Sequence, residues 1–125
     1  MKPKILLLTP VYNDWQNLKD LLHQINGIFE DKIKTFFDLV VVDDNSSERI
    51  DFYKLKFSRI NKIIIIKLEK NLGSQKAIAL GLKYIKNHYI EKFKTFIIDS
   101  DGQDNPLGIL KCIKKIQRIQ INRLW

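Results

Sequence analysis

Four short apolar runs, Lys4–Thr9, Phe37–Val42, Lys62–Leu68 and Thr95–Ile98, constrain this chain more than any other feature. Each is rich in Ile, Val, Leu or Phe and lacks polar alternation, so each reads as a strand buried on both faces of a parallel sheet. The segments between them have a different period. Trp15, Leu18, Leu21, Leu22, Ile25 and Phe29 recur at three- and four-residue spacing, giving one apolar helix stripe with Asn13 or Asp14 as its N-cap. A shorter helix is expected around Arg49–Phe57. After the third run, Ser74 is placed to cap a helix carrying Ala77, Ile78, Gly81, Tyr84 and Ile85; after the fourth, Pro106 starts one with Ile109, Leu110, Ile113, Ile116 and Ile119 on its buried side. The resulting order, β-α-β-α-β-α-β-α, predicts an α/β fold with a doubly wound, Rossmann-like parallel sheet of four β-α units.

Composition narrows the class further. At 125 residues, with 45% apolar and 29% charged positions, the chain has material for one core and is neither a disordered tail nor a membrane span. The single cysteine, Cys112, cannot form an internal disulfide, and no Cys/His spacing matches a structural zinc site. The apolar run after Met1–Lys4 is closed by Thr9-Pro10 and is too short for a signal-peptide core. A cytoplasmic setting is therefore expected. The formal charge of +8 raises nucleic acid or an anionic membrane as partners, but its Lys residues are scattered among many Ile.

In a doubly wound sheet, ligands bind beyond the carboxyl ends of the strands. Those ends carry Thr9-Pro10-Val11-Tyr12-Asn13-Asp14, Asp43-Asp44-Asn45-Ser46-Ser47, Glu69-Lys70-Asn71-Leu72-Gly73 and Asp99-Ser100-Asp101-Gly102-Gln103-Asp104. A basic chain thus gathers carboxylates at one edge, where repulsion must be offset by a cation or by hydrogen-bond donors. This acidic edge argues against nucleic acid as the ligand. If the backbone stays extended past Ile98, Asp99, Asp101 and Gln103 project to one side and offer hard oxygen ligands suited to Mg²⁺ or Mn²⁺. The same residue types also make ordinary turns. An EF-hand does not fit: Gly102 comes too early, Leu110 stands at the place of the bidentate Glu, and a strand precedes the loop. Asp43 and Asp44 can accept hydrogen bonds from a ribose or a base edge, or can cap or turn the chain. Tyr12 can stack on a base or simply pack. Asn71-Leu72-Gly73-Ser74 offers a Gly turn and a helix N-terminus for a phosphate or ribose contact, although neither a P-loop nor a Gly-x-Gly-x-x-Gly motif is present.

Taken together, these residues resemble the nucleotide-binding half of the family 2 glycosyltransferases, which have the GT-A fold. The segments that carry the resemblance are Thr9–Asp14, Val41–Ser46, Asn71-Leu72-Gly73 with Ala77 and Gly81, and Ile98–Asp101. Asp99 through Pro106 is similar to the stretch of the branch that loads sugars onto polyprenyl or dolichyl phosphate. The resemblance implies that Pro10, Tyr12, Asp14 and Asp44 surround the nucleoside, with Asp44 at the base edge. It implies that Asp99 contacts the ribose or its phosphates, and that Asp101, helped by Gln103, holds the metal bridging the diphosphate. The implied reaction is metal-assisted departure of a nucleoside diphosphate while an acceptor, such as a polyprenyl phosphate or a glycan, attacks the anomeric carbon. Asp14 stands where Glu is commoner, and Asn45 where Gly is commoner. Members of the family continue well past the Asp-x-Asp segment, so the expectation is a donor-binding domain over residues 1–125 that is incomplete at its C-terminal side. The catalytic base would then lie beyond Trp125. Neither His23 nor His88 falls in a strand-end turn, and Asp104 reads as support for the metal. The competing expectation is a nucleotide-sugar-binding module that does not itself transfer and needs a partner chain. In either case peripheral association with the cytoplasmic face of a membrane is expected.

Overall fold

The computed structural model describes residues 5–48, 51, 54–89, 93–98, 107–108 and 111. Strands β1 (Ile5–Val11), β2 (Phe37–Asp43), β3 (Ile60–Lys67) and β4 (Lys94–Ile97) form one parallel sheet in the order β3-β2-β1-β4. Helix α1 (Trp15–Ile28) follows β1 and helix α2 (Ser74–His88) follows β3. Alternation of side chains along the strands divides the core between two faces. Leu7, Leu39 and Val41 pack with Trp15, Leu18, Leu22 and Ile25 of α1, whereas Leu6, Leu8, Val40 and Val42 pack with Ala77 and Ile85 of α2. The result is the expected α/β fold, with a helix on each side of the sheet.

The two central strands behave as their sequences predict, and every residue of β1 and β2 is buried. The outer two do not: β3 and β4 are partly buried with exposed ends. The physical reason is position. Both lie at the edges of the described sheet, and their Ile-rich composition does not record which neighbour is missing. β1 also runs through Pro10, which is buried within the strand and not in the turn after it. The backbone of Leu8 faces β4, since its carbonyl accepts the Ile98 N–H at 2.9 Å, while the Val11 carbonyl accepts the Asp44 N–H at 2.8 Å. By alternation the missing N–H of Pro10 falls on the β4 side, two residues past Leu8, the last residue paired with β4, so it interrupts no bond of the β1–β2 ladder.

Helix α1 carries its apolar stripe as expected and ends in a π-helical turn, Phe29–Ile33, closed by the Lys34 N–H donating to the Phe29 carbonyl at 2.7 Å. That turn keeps Phe29 wholly buried with its ring 4.4 Å from Phe37. Of the helix expected over Arg49–Phe57, Lys54 lies in a 3-10 turn, its N–H donating to the Asp51 carbonyl at 3.2 Å, and residues 55–57 are non-helical; Arg49, Ile50, Phe52 and Tyr53 lie outside the described residues. Leu55 and Phe57 instead pack on the α1 side, where Asn26 receives the Arg59 N–H at 2.8 Å. The cap of α2 is also corrected. Gly73, at φ 93°, is the N-cap, and Ser74 opens the helix without a side-chain capping bond. The helix expected after Pro106 lies outside the described residues apart from 107–108 and 111.

Gly81 sets how closely α2 approaches the sheet. A Cβ there would stand 2.5 Å from Leu8 Cδ1 and 3.0 Å from Val42 Cγ2. At the opposite edge from the strand carboxyl ends, the buried Asp38 of β2 accepts hydrogen bonds from Tyr89 Oη (3.0 Å) and Asn61 Nδ2 (3.0 Å), tying α2 and β3 to the centre of the sheet. Burial, followed by the Asp38 charge and hydrogen bond, pushes the Tyr89 hydroxyl well above the ordinary tyrosine range.

Two outcomes are expected. Gly81→Val should lower the unfolding free energy by about 2–3 kcal/mol, read from urea denaturation, because α2 must lift from Leu8 and Val42. Tyr89→Phe should cost about 1–2 kcal/mol, since Asp38 loses a charge-assisted partner. Because the folded state raises the Tyr89 pKa, its contribution is complete below the unfolded value of about 10 and declines as pH rises beyond it. The stability difference between wild type and Tyr89→Phe should therefore shrink above about pH 10.

Candidate functional site

The chain steps outward from β1 to β2 to β3 and then returns to place β4 on the other side of β1. The strand order therefore reverses between β1 and β4, and in sheets of this type the crevice beyond the carboxyl ends at such a reversal receives the ligand. Three strand-end loops are described at this edge, those after β1, β2 and β3, and hydrogen bonds join them sideways.

Asn13 is the hub of the first junction. Its backbone is left-handed at φ 56°, which Asn tolerates better than most residues, and its N–H donates to Ser46 Oγ at 2.8 Å. Its Oδ1 accepts the N–H groups of Ser47 (2.8 Å) and Glu48 (3.1 Å) and the Ser47 hydroxyl (3.2 Å). Asp43 holds the other side of the same turn, its Oδ1 accepting the Ser46 N–H at 2.8 Å. Asn45, between them, is also left-handed at φ 65°. That conformation explains why a Gly or an Asn suits this position: either occupies it with little strain.

Asp44 makes the second junction. Its Oδ1 accepts the Leu72 N–H at 2.7 Å and its Oδ2 the Gly73 N–H at 2.9 Å, so one carboxylate grips the turn leading into α2. Asn71 Oδ1 shares the Gly73 N–H at 3.2 Å. Asp43 and Asp44 are each 3% exposed. Backbone N–H groups thus supply the donors that two adjacent buried carboxylates require.

The expected site residues sort by these contacts. Asp43 forms one hydrogen-bonded group with Asn13 and Ser46, and Asp44 forms a second with Asn71 and Gly73. Pro10 lies buried beneath it in β1. Tyr12, 53% exposed, presents its ring to solvent at the end of β1. Asp14 occupies the N-cap position of α1 without a capping bond; its Oδ1 accepts from Asn17 Nδ2 at 2.7 Å. Asp99, Asp101 and Gln103 lie outside the described residues, as does Asp104. Among the described residues no group of three or more His, Cys, Asp or Glu is arranged to hold a metal ion. The organising roles of Asn13 and Ser46 were not read from the sequence, where Asn13 served only as a cap. The available signal was an Asn after a strand, a position that favours a left-handed turn and side-chain bonds to nearby backbone.

Comparison with known proteins agrees with this geometry. Residues 7–121 match the model of Glycosyl transferase family 2. The chain is 33% identical over 116 residues to the uncharacterized protein MJ0544 of Methanocaldococcus jannaschii, covering 90% of this chain and 47% of that protein. It is 30% identical over 110 residues to the uncharacterized glycosyltransferase YkcC of Bacillus subtilis, covering 87% of this chain and 32% of YkcC. It is 27% identical over 114 residues to the undecaprenyl-phosphate 4-deoxy-4-formamido-L-arabinose transferase of Salmonella paratyphi A, covering 90% and 33%. The chain thus spans from about a third to about half of the length of these relatives. Among solved structures, S. aureus TarS 1–349 in complex with UDP-GlcNAc superposes with a TM-score of 0.67 over 92% of this chain and 31% of TarS, at 24% identity, a likeness of fold. With residues 7–121 of its 125 matched by the family model, on a parallel sheet whose reversal point carries the linked loops, this chain belongs to Glycosyl transferase family 2.

Proposed function

We propose that this chain binds the donor of a glycosyl transfer, a nucleoside diphosphate sugar, at the edge formed by the loops after β1, β2 and β3 together with the Asp99–Gln103 segment. The observation that carries the reading is the lateral bonding of Asn13 and Asp44 to neighbouring loops, with Asp43 closing the turn between them. It builds a pre-organised rim, and the exposed Tyr12 ring stands beside it. Tyr12 and Asp14 flank the nucleoside, and Pro10 shapes the floor below. Asp43, Asp44, Asn71 and Gly73 set the contour of the rim toward base and ribose. Two lone-pair directions of the Asp44 carboxylate remain in principle for a base edge after the Leu72 and Gly73 bonds are counted.

Mg²⁺ or Mn²⁺ is the cation of this reading. The carboxylates of Asp43 and Asp44 are already committed to backbone donors, whereas Asp101 and Gln103 offer a carboxylate and an amide oxygen, a hard donor set that fits either ion. The ion would supply neutralisation of the charge that develops on the departing diphosphate. Asp99 faces the ribose or the phosphates in the same reading.

The acceptor we infer is a polyprenyl phosphate. The support is the Asp99–Pro106 stretch and the similarity to an undecaprenyl-phosphate sugar transferase. Because the chain spans only part of its relatives, donor binding and transfer are tested separately. Release of nucleoside diphosphate with a polyprenyl phosphate present identifies a transferase; donor binding without release identifies a binding module that needs a partner chain.

Calorimetric titration with UDP- and GDP-sugars should show binding that requires Mn²⁺ or Mg²⁺ and is lost in Asp101→Ala. No binding, or binding indifferent to that substitution, would sink the reading. Asn13→Ala unties the first two loops and forces a left-handed backbone on Ala. It should weaken donor affinity about tenfold, roughly 1.4 kcal/mol, while the fold persists by circular dichroism.

A further inference from the structure

We propose that the outward face of α2 docks this protein onto an anionic membrane surface. The inference deepens the reading of a lipid-phosphate acceptor and rests on it for its purpose, but the placement of charge carries it.

Ala77, Gly81 and Ile85 mark the side of α2 that meets the sheet. At about 100° per residue, Lys76, Lys83 and Lys86 project from the opposite side, and all three are exposed. They lie within about 15 Å along the axis, so their fields add at a surface even at physiological ionic strength. Helix α2 itself carries no acid: the sequence from Lys70 through Ile90 contains neither Asp nor Glu. The helix on the other face is different. Along α1 and its π-helical turn, Lys19 and Lys32 are matched by Asp20, Glu30 and Asp31. Of the two helices, α2 is therefore the one whose outward lysines are not balanced by acids of its own.

Two leucines fit this face to lipid. Leu80 and Leu82 are 38% and 41% exposed and flank the lysine stripe on either side. Apolar side chains beside lysines suit a headgroup boundary, where the leucines enter the acyl margin and the ammonium groups meet lipid phosphates. A nucleic-acid surface would be served instead by Arg forks and stacking rings. Helix α2 has no Arg, and its one aromatic, Tyr84, is half-buried and stacked on His88 at 4.0 Å. No helix among the described residues is long and apolar enough to cross a membrane, so contact through α2 is contact with the surface. Its N-terminus leaves the turn gripped by Asp44, which keeps the candidate donor edge beside the bilayer.

The test is co-sedimentation of the whole chain with phosphatidylglycerol–phosphatidylcholine vesicles and with pure phosphatidylcholine vesicles. No donor, metal or polyprenyl phosphate is present, so failure of the donor-site reading leaves the result unaffected. The expected result is binding to the anionic vesicles alone, screened by salt. The K76Q/K83Q/K86Q variant should weaken it on the order of fiftyfold or more, and L80S/L82S should weaken the part that survives high salt. Replacing the same lysines by arginine should preserve binding, as should K32Q/K54Q/K56Q, which removes equal charge elsewhere. Thermal melting confirms that each variant is folded. Absence of binding, equal binding to neutral vesicles, or equal losses in the two triple-glutamine variants would overturn the proposal. So would binding to single-stranded RNA that depends on Lys76, Lys83 and Lys86 while vesicles are ignored.

Discussion

Everything at the functional edge depends on backbone N–H groups answering buried acceptors. A parallel sheet brings the carboxyl ends of its strands together, and the loops that leave them carry Asp43 and Asp44 side by side at 3% exposure. Two adjacent carboxylates in that position would repel one another and lose hydration. They persist because each is turned toward backbone donors: Asp43 to Ser46 within its own turn, and Asp44 to Leu72 and Gly73 of the neighbouring loop. The bonds that satisfy the charge also fix loop geometry, so the stability of these buried carboxylates and the shape of the candidate edge have one source.

The two sides of the sheet serve different ends. On the α1 side, bulky residues from Trp15 to Phe29 fill the space above Leu7, Leu39 and Val41, and the β2–β3 connection adds Leu55 and Phe57. On the α2 side the helix sits close, because Ala77 and Gly81 leave room for Leu8 and Val42. Close packing fixes the start of α2 relative to the end of β2, and the Asp44 grip on Leu72 and Gly73 depends on that spacing. The Asp38–Tyr89–Asn61 group repeats the same device at the opposite edge, where a buried carboxylate again joins three elements of the fold.

Much of this was legible in the residues. Continuous apolar runs announced buried strands, and β1 and β2 are buried throughout. The three- and four-residue spacing of Trp15 through Phe29 announced α1, and the polar clusters after the runs announced the edge. What failed shares a cause. The run Lys62–Leu68 reads as a strand buried on both faces, but β3 lies at an edge of the described sheet, and strand position comes from partners distant in sequence. At the end of the Arg49–Phe57 segment, Leu55 and Phe57 find their burial against the α1 side in non-helical backbone, a tertiary contact that local sequence does not express. Ser74 is a good cap by type, but the chain enters α2 through Gly73 at positive φ, and Ser74 falls one residue inside.

By itself the sequence determined the alternation of strands and helices, the parallel α/β class and the concentration of Asp and Asn at the strand ends. These follow from local periodicity and residue chemistry, which neighbouring positions suffice to express. Only the tertiary structure decided that Asn13 joins the loops after β1 and β2, that Asp44 holds the entrance to α2, and which side of α2 meets the sheet and leaves Lys76, Lys83 and Lys86 exposed. Each of those facts depends on which segments lie side by side, and the strand order β3-β2-β1-β4, set by long-range packing, is what places them there.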